Sequence, residues 1–176
     1  IYPILKQIFD EMDMESIKKL PESQFYDLMK LGFISEDYRY SYRRIWVAVN
    51  NQDQPVGMID MYPYHDQSII DFVLKKEYPK VGLPTQTVIF EDQEAWPHEW
   101  YIDALAVDPK HWGKHIASQL MDFAEKIAQN KGYKLISLNV DKENPRAQQL
   151  YVHKGYKSKN EMTIGDRTYD HMVKEI

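Results

Sequence analysis

The chain reads as a mixed α/β protein of the α+β class, and three observations carry that reading. Apolar residues recur at helical spacing in "IYPILKQIFDEM" and again from Ile116 onward. Strand-like runs, "EWYIDALAV" and "YKLISLNV", stand on either side of that second helix. Proline, asparagine and glycine mark the boundaries, so strands and helices are interleaved along the chain.

In the first helix, Ile4, Leu5, Ile8, Phe9 and Met12 share one face. The chain starts at Ile1 rather than methionine, and a further short segment, a strand, is expected upstream. A second helix is predicted from Pro21 to about Leu31: Phe25, Leu28 and Met29 share a face, and Gly32 suits the exit. "RRIWVAV", "NNQDQP" and "VGMIDMY" read as strand, turn and returning strand. From Pro63 to Pro97 the pattern is irregular. "SIIDFVLKKEY" suits a short helix, "TVIFE" a strand, and Pro79, Pro84 and Pro97 mark breaks. Such an excursion is either a substrate loop or a disordered insert.

Glu99 to Val107 is the next strand. The helix after it places Ile116, Leu120, Phe123 and Ile127 on an apolar stripe. Ile136, Leu138 and Val140 give a further strand. Asn144 as cap, Pro145 at the first position and Gly155 at the exit bound the last helix. The chain closes with a hairpin, Tyr156 to Thr163 and Arg167 to Lys174, turned at "IGDR".

With 176 residues and no linker or repeat, residues 1–176 are expected to form a single domain. A net charge of −5 argues against general nucleic-acid binding. The absence of cysteine removes disulfides, zinc thiolates and a cysteine nucleophile. No apolar run approaches the roughly 18 residues of a membrane span, so a cytoplasmic protein without a membrane partner is expected.

The stretch "VDPKHWGKHIASQLM" concentrates basic residues where a strand meets a helix. Free main-chain N–H groups and the positive end of the helix dipole suit a phosphate; Gly113 lets it approach and Lys114 can add charge. A solvated basic turn is the other reading. It is neither a dinucleotide fingerprint nor a P-loop, for it lacks their glycines. His111 and His115 lie four apart but have no third histidine nearby in sequence, and Gly113 sits between them, so no metal site is expected. On the preceding strand, alternation puts Glu99, Tyr101 and Asp103 on one face with Leu105 and Val107. Asp103, flanked by apolar residues, is the better functional candidate. Tyr151, one turn after Ala147, reads by itself as a packing residue.

In this order the pieces resemble the GNAT superfamily of N-acetyltransferases. The likeness covers Glu99 to Tyr156 well and the flanks loosely. The family's acetyl-CoA signature (Arg or Gln, two residues, Gly, one residue, Gly or Ala) falls on Trp112, His115 and Ala117, of which Ala117 conforms. Gly113, Ile116 and "SQLM" match its commoner form. "NPRAQQLYVHKGY" matches the Asn…Ala…Tyr…Gly-aromatic run and is the more specific of the two.

The resemblance implies a twisted, mostly antiparallel sheet, flanked by helices and splayed between the strands ending near Val107 and Val140. It implies acetyl-CoA as co-substrate and no metal. The pantetheine arm would meet main-chain groups of Leu105, Ala106 and Val107. The pyrophosphate would meet Gly113, Lys114, His115, Ile116 and Ala117, with Ser118 beside them, while Trp112, Asn139, Asn144, Ala147 and Tyr151 would complete the cofactor site. His115 is expected in a helical first turn. Transfer would be direct, to a primary amine of a small molecule or peptide, with Tyr151 as acid and Asp103 or Glu99 as base. The N-terminal helices and residues 63–97 would line the acceptor entrance, where Asp66, Asp71, Glu91, Asp92, Tyr62, Tyr64 and Trp96 suit a cation. The other reading is an acyl-CoA-binding module without turnover. Such folds commonly dimerise, so a homodimer is admitted without an interface to point at.

Overall fold

A computed structural model describes residues 1–12, 15–89 and 92–176. Six helices, α1 (Tyr2–Met12), α2 (Glu15–Lys18), α3 (Glu22–Ile34), α4 (Gln67–Ile70), α5 (Ile116–Asn130) and α6 (Pro145–His153), accompany six strands among these residues. The strands are β1 (Ile45–Val49), β2 (Pro55–Pro63), β3 (Glu99–Val107), β4 (Leu135–Asp141), β5 (Lys157–Ile164) and β6 (Arg167–Glu175). They form one sheet in the order β1-β2-β3-β4-β6-β5. Every neighbouring pair is antiparallel except β3–β4. The fold class predicted from the sequence is the one observed.

Each face of the sheet carries its own core. On one side Ile4, Leu5 and Phe9 of α1 and Phe25, Leu28 and Met29 of α3 pack with Met58, Ala104 and Ala106. On the other, Leu120, Met121, Ala124 and Ala128 of α5 pack with Ile59, Met61, Ile102 and Ile136. The buried stripe of α5 is therefore rotated from the predicted one. Alanines at 124 and 128 let the helix lie close to the sheet, while Phe123 is displaced to the flank against Trp46 (ring centroids 6.1 Å apart).

Helix α3 runs past Leu31, and Gly32 is not its exit. Gly32 is buried inside the helix because a Cβ there would lie 2.4 Å from the Tyr38 ring. Residues 63–97 form short turns: a 3-10 turn at Tyr64–Asp66, α4, and a longer 3-10 segment at Lys75–Val81. The predicted strand at "TVIFE" is not observed over residues 87–89, and its last two residues lie outside those described.

One irregularity decides where a site can form. Asp60 of β2 pairs with Ala104 and Met61 with Ile102, so Asp103 is an extra residue that bulges from β3. The bulge reverses the alternation: Ile102 faces the α5 core, yet Ala104 and Ala106 face the α1 core and Leu105 turns to α5. The common face expected for Glu99 to Val107 is thus broken at Asp103. Parallel pairing with β4 stops at the same place, covering only Glu99–Ile102 against Leu135–Leu138. Beyond it the two strands part.

Gly32→Ala should destabilise the protein by about 1–3 kcal/mol, because the added methyl must displace a packed Tyr38 ring. Urea denaturation with an unchanged midpoint would show that Tyr38 moves freely.

Candidate active site in the gap between β3 and β4

The parted strands open onto two cavities of about 480 and 360 Å³. They meet along Glu11, Leu105, Asn144, Ala147 and Tyr151, which line both.

The smaller cavity ends at the basic turn. Trp112, Gly113, His115, Ile116, Ala117 and Ser118 line it, whereas Lys114 does not. Asp108 N–H donates to the Val56 carbonyl at 2.9 Å. Ladder alternation therefore aims the main-chain groups of Leu105 and Val107 into the gap, while those of Ala106 face β2. The Val107 carbonyl already accepts from the Trp112 indole N–H at 2.8 Å. At the start of α5, the main-chain N–H groups of residues 113–118 have no acceptor among the described residues; the first that does is Gln119, on the His115 carbonyl at 3.0 Å. A Cβ on Gly113 would meet nothing within 4 Å, so the turn leaves room for an oxyanion. These features fit a diphosphate.

His115 is not in a helical first turn. It caps α5 in the left-handed region, with φ 60° and ψ 17°, next to Gly113 at φ 76°. A Cβ there costs about 1–2 kcal/mol. The opposite wall is α6. Asn144 caps it, its side-chain oxygen accepting from Ala147 N–H at 3.1 Å, so that oxygen is already engaged. Tyr151 stands where the cavities join, and burial pushes its phenol up to about 12.

The larger cavity has a charged floor. Arg39, fully buried, donates to Asp71 (2.8 and 2.7 Å), to Glu94 (3.0 Å) and to Asp103 (2.5 Å). Tyr62 donates to the same Asp103 oxygen at 3.0 Å, and hydrogen bonds from Tyr62 and Tyr40 favour the ionised carboxylate. Burial raises the Asp103 carboxyl, against the pull of Arg39. On the same face of the sheet, Asp60 is buried with neither oxygen hydrogen-bonded among the described residues, and desolvation holds it well above the usual carboxylate range.

Glu94 lines this cavity too, and the sequence reading missed it. Its main chain is fixed from two sides. The Gln67 side chain accepts from the N–H groups of Glu94 and Ala95 at 2.8 and 2.9 Å, and Asn139 Nδ2 donates to the Glu94 carbonyl at 3.2 Å. Tyr101 O–H donates to its Oε2 at 2.8 Å. Burial pushes its carboxyl up to about 7, with Arg39 opposing.

Of the site residues named from the sequence, Asp103, Leu105, Asn139, Asn144, Ala147 and Tyr151 line this cavity and Glu99 does not. Glu99 is buried beneath it, accepting from Ser137 Oγ at 2.7 Å and Trp96 N–H at 3.0 Å, with His171 Nε2 at 3.2 Å. Among the described residues of the stretch 63–97, Glu94 alone lines the cavity. Asp66 pairs with Arg44, Asp71 with Arg39, Asp92 accepts from Gly165 N–H, and Trp96 stacks on His171. Tyr62 and Tyr64 are packed around Tyr101, and Glu91 lies outside the described residues. Glu11 and Met12 of α1, the first of the N-terminal helices expected there, line the cavity together with Asp141, Glu143, Arg167 and Tyr169.

A family model described as "Acetyltransferase (GNAT) family" matches residues 5–156. The chain belongs to the GNAT family of acetyltransferases. A solved acetyltransferase is similar over 98% of this chain and 91% of its own, at 35% identity and a TM-score of 0.85. An N-acetyltransferase from Staphylococcus aureus Mu50 shares the fold over 98% and 92%, at 22% identity and a TM-score of 0.82. The NatC complex bound to Gag peptide and CoA is a more distant likeness, covering 89% and 92% at 21% identity and a TM-score of 0.53. GNAT acetyltransferases use acetyl-CoA and act on amines, and this chain is an enzyme of that type. No helix among the described residues is long and apolar enough to cross a membrane.

His115→Gly should stabilise this GNAT protein by roughly 0.5–1 kcal/mol, the relieved left-handed strain outweighing the extra chain entropy of glycine. A lower urea midpoint would mean that the imidazole makes a compensating contact.

Proposed function

We propose that the protein transfers the acetyl group of acetyl-CoA directly to a primary amine, with the thioester in the smaller cavity and the amine in the larger. The observation that carries this is the junction at Tyr151 and Leu105, where a cradle of free N–H groups and a buried acidic pocket meet.

An alkylammonium with pKa near 10.4 must lose a proton before it can attack, so the acceptor side needs a base. Glu94 suits that task better than Asp103. A carboxyl at about 7 is substantially ionised at neutral pH and still basic enough to accept a proton. Asp103 is tied to Arg39 at 2.5 Å, which favours a structural and electrostatic role. Glu94 takes the ammonium proton, directly or through water; the free amine attacks the carbonyl carbon, and the C–N bond forms. Main-chain N–H groups of β3 that face the gap support the developing oxyanion. The C–S bond then breaks. The nitrogen sheds its second proton and the sulfur gains one, which balances the reaction.

Tyr151 is the donor placed to meet the departing sulfur. With its phenol near 12, full transfer to a thiolate whose conjugate acid lies near 8.5 is uphill, so it contributes chiefly a hydrogen bond to the developing thiolate. Tyr151→Phe should lower kcat by about 100-fold, the lower end of what a positioned proton donor contributes, and leave acetyl-CoA affinity nearly unchanged. Thiol release with an amine panel, beside calorimetric titration of acetyl-CoA, measures both. Unchanged turnover removes Tyr151 from the chemistry; stabilisation by CoA without thiol release for any amine leaves binding alone.

The Glu94 assignment has a pH signature. Since the base must be ionised, kcat/KM should fall as pH drops through about 7. Glu94→Gln should remove that limb, leaving only the titration of the amine itself. A profile of the same shape in the variant would assign the base elsewhere.

A further inference from the structure

Beneath the larger cavity a chain of hydrogen bonds leads away from Glu94 to a histidine that no step of the reaction uses. His171 of β6 stands directly opposite Asn139 of β4 in the ladder, and it is wholly buried. Its Nδ1 lies 2.7 Å from Asn139 Oδ1 and its Nε2 lies 3.2 Å from Glu99 Oε1. Trp96 stacks on the ring, the centroids 4.4 Å apart. A buried imidazole is costly unless both nitrogens are satisfied, and here both are.

The direction of each bond is fixed from the Glu94 end. The Glu94 carbonyl can only accept, so the Asn139 group 3.2 Å from it is the amide nitrogen. That nitrogen also donates to the Tyr101 oxygen at 3.0 Å, which commits the Tyr101 hydrogen to Glu94 Oε2 at 2.8 Å. Asn139 Oδ1 is left facing His171 and can only accept, so Nδ1 carries a proton. At the other nitrogen, either an imidazolium faces a carboxylate or a neutral imidazole faces a carboxylic acid. The Nδ1–H is common to both. An amide does not pass a proton on, so this chain orients groups and conducts nothing.

We infer that His171 is a positioning residue for the base: through Asn139 it holds Tyr101 as a hydrogen-bond donor to Glu94, and Glu99 serves to hold the imidazole. This rests on the reading of Glu94 as the base. A phenol locked as donor favours the ionised carboxylate. A phenol free to turn can accept from the protonated acid instead, and so favours that form. Arg39, Asp103 and Tyr169 also interact electrostatically with Glu94, and the variants below leave all three unchanged. Around His171 the titratable partner is Glu99, and it is part of the test.

The test compares Glu99→Gln with the double variant Glu99→Gln/His171→Phe, neither of which leaves an unpaired charge beneath the cavity. In the single variant the amide oxygen takes the bonds from Ser137 and Trp96 N–H, and its nitrogen donates to Nε2, which keeps the proton on Nδ1. The double variant keeps a ring against Trp96 and loses the donor. The acid limb of kcat/KM for the amine should stay in place in the single variant. In the double variant it should rise by about one pH unit, the size of one hydrogen bond to an ionised group. KM for acetyl-CoA should not change, since Asn139 lines only the larger cavity. Asn139→Leu, with His171 intact, should raise the limb in the same way and serves if the double variant does not fold. Nitrogen-15 NMR of the wild-type imidazole should show a protonated Nδ1 at neutral pH. An unprotonated Nδ1, a limb that the double variant and Asn139→Leu leave in place, or a limb that Glu99→Gln alone moves as far, overturns the inference and leaves Glu94 as the base. A limb that survives Glu94→Gln overturns both.

Discussion

The ion pair between Arg39 and Asp103 is the constraint on which the rest of the structure turns. Asp103 is the extra residue of the β3 bulge, and a bulge leaves its residue out of the ladder with a side chain to place. Burying that carboxylate alone would be prohibitive, so the chain brings a guanidinium to it from the segment after α3. The same guanidinium binds Asp71, beyond α4, and Glu94, in the loop entering β3. Four distant stretches are thereby tied to one point, and that point is where β3 leaves β4. The gap that admits a ligand and the charge that lines it have one origin.

On the proposed reaction, this arrangement also accounts for the base. Arg39 divides its charge among three carboxylates while Asp60 sits nearby, so no single acid receives full compensation. Asp103, in the shortest contact, receives the most. Glu94, at 3.0 Å and with Tyr101 on its other oxygen, is left partly uncompensated, and burial dominates. Two carboxyls sharing one cation therefore come to different roles by geometry alone. A pocket of this kind favours a cationic acceptor, since bringing in an ammonium repairs the local charge deficit.

How much of this was legible in the sequence depends on the range of the interactions. α1, the β1–β2 hairpin, α6 with its Asn144 cap, and the closing hairpin follow from local periodicity and boundary residues, and all were readable. The bulge was not. Alternation along "EWYIDALAV" looks unbroken, and only the pairing with β2 shows that Asp103 is supernumerary. Glu94 was invisible for a related reason: its loop has no period, and its neighbours Arg39, Gln67, Tyr101 and Asn139 come from four other parts of the chain. Glu99 misled in the opposite sense, because a carboxylate on a strand looks functional until Ser137, Trp96 and His171 are seen to satisfy it.

The cofactor corner shows why a degenerate signature need not mean a degenerate site. Main-chain donors present the same N–H whatever side chain follows, so the turn can lose a glycine at residue 115 provided the backbone keeps its left-handed shape. The strain of holding His115 there is small beside the several donors it aligns. α6 faces the same cavity as the turn before α5, so the surroundings of a bound group there are set by the geometry of both walls and not by a signature written along one segment.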